Sequence, residues 1–137
     1  MDKDVMLNKL ESLRRCVKRI QDKTPPSSDA LKENIDLQDI IVLNLERAVQ
    51  ICVDIGMHRI SELETPVPDT MSETFKNLNR AGILDDAITE RMVKAVGFRN
   101  TAVHAYQEMD WEIVYRIITE HLNDFRDFAG QMMRSVK

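Results

Sequence analysis

Residues 37–55 read LQDIIVLNLERAVQICVDI, and this stretch decides the kind of fold the chain can form. Leu37, Ile41, Leu45, Ala48, Cys52 and Ile55 recur every three or four residues, which puts them on one side of a helix. Ile40, Leu43, Val49, Ile51 and Val53 widen that stripe around much of the girth. A helix apolar over so wide an arc must be covered on two sides, so it lies at the centre of a bundle or between two subunits. The rest of the 137 residues agrees with a helical reading. Gly and Pro number four each, eight Met are present, and 43% hydrophobic residues stand against 31% charged ones, a balance that favours ordered helices over disorder or an all-β fold. The length suits one domain, residues 1–137, with a core that needs neither disulfides nor a metal.

Outward from this stretch, the periodicity predicts four further helices. Val5 or Met6, Leu10, Leu13, Val17 and Ile20 make one stripe over residues 3–22, which ends before Thr24-Pro25-Pro26 because proline donates no hydrogen bond and restrains its predecessor. The central helix covers about 37–63, with a brief lead-in from Asp29. Thr65-Pro66-Val67-Pro68 then breaks the pattern, and Asp69 or Thr70 caps a short third helix that stops at Ala81-Gly82. Asp85 or Asp86 starts a fourth helix running to about 105. Asp110 caps a fifth from Trp111 to Met133, with Met132 and Met133 read as a frayed end. The expected fold is all-α: an up-and-down bundle of four long helices with an additional short one.

Several function classes drop out at this level. Cys16 and Cys52 lack Cys-x-x-Cys spacing and read as reduced packing residues. His58, His104 and His121 show none of the helical carboxylate–histidine spacings that bind metals, so no metal is expected. The charged start, Met-Asp-Lys-Asp, and the lack of an apolar run near the roughly 18 residues a membrane span requires point to a cytoplasmic protein with no membrane contact. A net charge of -4 argues against broad affinity for nucleic acid, though not against a local basic site. Arg14, Arg15, Lys18 and Arg19 form a basic cluster whose commoner outcome is a solvated face. Trp111 and Tyr115, four apart, read as packing residues.

Chemistry concentrates in Arg99-Asn100-Thr101-Ala102-Val103-His104-Ala105-Tyr106. A fixed cation can hold a phosphate, an imidazole can move a proton near neutral pH, and a phenol can orient a substrate or be modified. At about 100° per residue, Arg99 and Tyr106 share a face some 10 Å apart, Asn100 and His104 share another, and His104 lies about 140° from Arg99. The four groups cannot converge from one regular helix. Either the helix loosens near His104 or a second copy of the chain completes the site. Arg99 also continues the apolar stripe of Ile88, Met92, Ala95, Val96, Ala102 and Val103, where an unpaired guanidinium is costly. Asp39 and Glu46, on one face of the central helix, are its candidate partners.

Arg99, four intervening residues, His104, one residue and Tyr106 resemble the signature of the HEPN superfamily of helical ribonucleases, and Asn100 matches the polar residue that often follows the Arg. The context Gly97-Phe98-Arg99 to Tyr106, with Leu37-Gln38-Asp39 to Asn44-Leu45, is similar to the HepT toxins, and the resemblance spans nearly the whole chain. It implies a homodimeric, metal-independent endoribonuclease without a cofactor, in which two copies of the motif line one cleft. His104 would move a proton or position the ribose 2′-hydroxyl for attack on the adjacent phosphate, leaving a cyclic phosphate and a 5′-hydroxyl. Arg99 would stabilise charge on that phosphate, Asn100 would orient His104 or the RNA, and Tyr106 would position the substrate. The resemblance further implies an antitoxin, an MntA-type nucleotidyltransferase that uses ATP to AMPylate Tyr106 and so fills the cleft with a bulky anion. The competing reading is a non-catalytic helical subunit that binds nucleotide or substrate for a nucleotidyltransferase.

Overall fold

The computed structural model describes residues 3–136, and all the regular structure among them is helical. In order come α1 (Lys3–Lys23), α2 (Ser28–Lys32), α3 (Ile35–Ser61), α4 (Met71–Arg80), α5 (Asp86–His104), α6 (Trp111–Glu120) and α7 (Asn123–Ser135). One 3-10 turn, Tyr106–Glu108, joins α5 to α6. None of these helices is long and apolar enough to cross a membrane.

Local chemistry fixes most of the boundaries. Asn34 accepts a hydrogen bond from the Leu37 N–H at 3.0 Å, Thr70 from Glu73 at 3.1 Å, and Asp85 from Ile88 at 2.8 Å. Asp110 accepts from Glu112 and Ile113 at the start of α6. Each cap satisfies N–H groups that have no partner inside their own helix, and so sets where the helix begins. At the other end of α4, Gly82 takes φ +78°. Its N–H reaches the Asn79 carbonyl at 2.9 Å while Ile83 reaches Leu78 at 2.9 Å, a Schellman stop that only a residue at ease with positive φ makes cheaply.

Helix α3 is the axis of the bundle, in contact with α1, α2, α4, α5 and α7. Most of its wide apolar arc is buried within one chain, through Ile41, Val42, Leu45, Ala48, Val49, Cys52, Val53 and Ile55, while Leu43 stays 44% exposed. Cys16 and Cys52 are both free and buried, and burial pushes both thiols up. Phe75 of α4 meets Phe128 of α7 edge-on, with ring centroids 5.6 Å apart, and both rings are fully buried.

The structure corrects three expectations. The lead-in from Asp29 is a separate helix, α2, because the buried Gln38 amide donates to the Leu31 and Lys32 carbonyls at 2.9 and 3.1 Å and caps that helix from the side. The expected fifth helix is two, since the backbone at His121 leaves the helical region with φ -122° and ψ 5°. Asp124 and Phe125 then donate to the carbonyls three residues back and start α7. Met132 is completely buried, so the end read as frayed belongs to the core.

Gly56 on α3 marks a close helix approach. A Cβ there would lie 2.6 Å from Cγ2 of Thr74 and 3.1 Å from Cδ1 of Leu78, both on α4. Thr74 is β-branched and buried, and its hydroxyl donates to the Thr70 carbonyl, so it has little freedom to yield. Gly56→Ala is expected to destabilise the fold by about 1–2 kcal/mol despite the better helix propensity of alanine. A urea unfolding curve with an unmoved midpoint would show that α4 can shift away.

Candidate active site at the junction of α5 and α6

Helix α5 ends at His104 without a glycine or proline. Ala105 leaves the helix with φ -145° and ψ 46°, and its N–H still donates to the Thr101 carbonyl at 2.8 Å. The chain then tightens, with Glu108 donating to Ala105 and Met109 to Tyr106. What holds this turn is tertiary. The Tyr106 hydroxyl donates to Oδ1 of Asp39 on α3 at 2.8 Å, and its ring stands edge-on to Trp111 with centroids 6.0 Å apart. Of the two ways out of the angular conflict, loosening at His104 is therefore present in the single chain.

The four motif residues all lie at one junction, but they divide into two groups. Asn100 and His104 are exposed, four apart on the last turns of α5, and Arg99 is half-buried beside them. Tyr106 is turned toward α3 and remains 37% exposed. The shared face with Arg99 that an unbroken helix would give is lost. Arg99 forms no ion pair or hydrogen bond with a described residue. It pairs with neither Asp39 nor Glu46, its expected partners; the group on which these carboxylates act is Tyr106. Burial, the hydrogen bond to Asp39 and the charges of Asp39 and Glu46 push the Tyr106 phenol up to about 12.

Asp39→Asn removes one of those charges, and the Tyr106 ionisation is expected to fall toward the ordinary phenol value of about 10. The chain has two tyrosines, so tyrosinate absorbance in a Tyr115→Phe background reads Tyr106 alone. An unshifted titration would mean that the carboxylate does not act on the phenol in solution.

Trp111 was read as packing, and it does pack, but against the motif tyrosine. Tyr115 is a plain packing residue whose hydroxyl donates to the Pro25 carbonyl at 3.0 Å. The basic cluster on α1 is exposed and partly neutralised within its own helix, with Arg14 on Glu11 at 2.7 Å and Lys18 on Asp22 at 2.7 Å. Among the described residues no group of three or more His, Cys, Asp or Glu side chains could hold a metal ion. Ala95 and Phe98, on the helix that carries Arg99, line an open groove with Leu45 and Val49 of α3 and Ile113 and Ile117 of α6.

The exposed His104, the half-buried Arg99 with no ion pair among the described residues, and Tyr106 on the turn that follows keep the order of the HEPN signature in a helical bundle whose fold is that of HEPN toxins. The sequence model of the family described as Ribonuclease HepT-like matches residues 13–132, and the chain belongs to that family. It is 34% identical over 125 residues to the mRNA nuclease HepT of Shewanella oneidensis, covering 91% of this chain and 93% of that one. It is 28% identical over 109 residues to the tRNA nuclease HepT of Aphanizomenon flos-aquae, covering 73% and 74%. Its fold superposes with a TM-score of 0.89 and 31% identity on the tri-AMPylated Shewanella oneidensis HEPN toxin solved in complex with its MNT antitoxin, covering 99% of this chain and 100% of that one.

Proposed function

We propose that this chain is the toxin of a HepT/MntA-type toxin–antitoxin pair, a cytoplasmic homodimeric endoribonuclease whose site is built on Arg99, Asn100, His104 and Tyr106. The observation that carries the reading is the electrostatics at the end of α5. Arg99 is a half-buried cation without a partner among the described residues, and an RNA phosphate supplies the charge it lacks. His104, exposed five residues on, takes the proton of the ribose 2′-hydroxyl as that oxygen attacks phosphorus. The bond from phosphorus to the 5′-oxygen breaks as the new one forms, the leaving oxygen takes a proton from water, and the products end in a 2′,3′-cyclic phosphate and a 5′-hydroxyl. Arg99 offsets the charge that accumulates on the phosphoryl oxygens in between. Asn100 aligns with His104 by its four-residue spacing and orients the imidazole or the RNA.

Homodimerisation supplies the second half of the cleft. Leu43 and Val103 are 44% and 45% exposed, and they sit four residues from Asp39 and Arg99 on the same helix faces. A second copy covering these positions brings two Arg99-to-Tyr106 segments to one groove. Neutralisation follows from the same geometry, because Tyr106 remains open to a nucleotidyltransferase that adds AMP from ATP.

The reading is tested by incubating purified protein with RNA in the presence of EDTA and analysing the product ends. Cleavage is expected to persist, with cyclic-phosphate termini. Activity that vanishes in chelator and returns with a divalent cation would overturn the metal-independent route.

A further inference from the structure

The Tyr106–Asp39 hydrogen bond has no counterpart in the RNA chemistry, since it ties the phenol to a helix that carries none of the four motif residues. Its partners are separated by 67 positions in sequence, and Asp39 is itself exposed. An exposed carboxylate that accepts the phenol's hydrogen bond within reach of solvent suits one event better than structural support. That event is removal of the phenol proton. We infer that Asp39 is the general base of Tyr106 modification, accepting the phenolic proton at Oδ1 as the tyrosine oxygen attacks the α-phosphorus of ATP presented by the nucleotidyltransferase. The inference rests on the reading of Tyr106 as the acceptor.

The step balances without further reactants. The O–H bond of Tyr106 breaks and its proton goes to Asp39. The new bond joins the tyrosine oxygen to the α-phosphorus, while the α–β anhydride bond breaks and pyrophosphate leaves with its electron pair. Asp39 then returns the proton to water. Burial, with Asp39 and Glu46, holds the phenol up at about 12, so almost no tyrosinate is present at neutral pH and the proton has to leave during the attack; Asp39 is the group at hydrogen-bond distance that can take it. The geometry is in place before any partner binds: the donor–acceptor distance is 2.8 Å, and the edge contact with Trp111 restrains the ring. Among the other charged groups near Tyr106, Glu46 of α3 can only oppose ionisation of the phenol. His104 and Glu108 flank it in the chain, and on the α6 side Lys32 of α2 is already paired with Glu112.

The test uses the full-length protein with its purified cognate MntA-type nucleotidyltransferase, ATP and Mg²⁺, followed by intact mass and peptide mapping over a pH series. Asp39→Asn is expected to slow AMP transfer to Tyr106 by about 10²-fold or more at neutral pH. Its remaining rate should rise about tenfold per pH unit, as solvent takes over the proton. Wild type should be nearly flat over the same range, and Asp39→Glu should restore the flat profile at a reduced rate. A purely structural role for Asp39 would lower the rate without changing its pH dependence, so an Asp39→Asn variant with the wild-type profile overturns the inference. The acceptor reading fails differently: wild-type protein would then gain no AMP, or would carry it on a residue other than Tyr106.

Discussion

His104→Ala is expected to lower RNA cleavage by about 10²–10⁴-fold, the usual loss when a positioned proton-transfer group is removed. Arg99→Ala should cost about 10²–10³-fold, on the scale of deleting one donor to an accumulating anion. Neither loss should come from unfolding. His104 is exposed and Arg99 makes no ion pair among the described residues, so unfolding free energies are expected to change by no more than ordinary surface substitutions do, about 0.5 kcal/mol. Removing the half-buried guanidinium can even raise stability, because an uncompensated charge leaves a partly apolar site. The two variants also separate by rescue. Arg99→Lys keeps the charge but loses the planar fork and should recover only part of the activity, whereas no surface cation replaces His104 in proton transfer. Activity unchanged in both alanine variants, measured on the same RNA, would remove the end of α5 from the reaction.

The sequence was informative where structure is decided locally. Thr70, Asp85 and Asp110 cap their helices through bonds spanning two or three residues, and Gly82 stops α4 because its own backbone permits positive φ. The wide stripe of α3 announced a central helix for the same reason: burial on several sides requires apolar residues on several sides. The break at His121 is the opposite case. Val114, Ile118, Leu122, Phe125, Phe128 and Met132 are all buried at helical spacing, so the apolar pattern runs through the break without a mark. Nothing in residues 119–123 resembles a glycine stop or a proline. The same limit hid the partner of Tyr106. Spacing arithmetic assumed an unbroken helix and aligned Tyr106 with Arg99, but the turn after His104 is held by contacts with Asp39 and Trp111 that no periodicity encodes. Asp39 and Glu46 were recognisable as one acidic face. Which group they would meet depended on how α5 ends.

Tyr106→Phe is expected to separate toxicity from its control, with the largest change in the control. The ring keeps its edge contact with Trp111, so the turn survives the loss of one hydrogen bond from a partly exposed hydroxyl, a change of about 1 kcal/mol or less. RNA cleavage should fall by tenfold at most, because the imidazole and guanidinium proposed to move the proton and hold the phosphate are untouched. AMP transfer, in contrast, should be abolished, since the attacking oxygen is gone. Wild-type protein incubated with ATP and the nucleotidyltransferase should gain AMP-sized mass increments and lose RNase activity in proportion, as a bulky anion enters a cleft built to receive RNA phosphates. The Tyr106→Phe protein under the same conditions should gain no mass and keep its activity. Equal protection of both proteins would mean that the antitoxin acts by binding alone. AMP found on the phenylalanine variant would move the acceptor to another side chain and leave the tyrosine, with its carboxylate partner, to the folding of the turn.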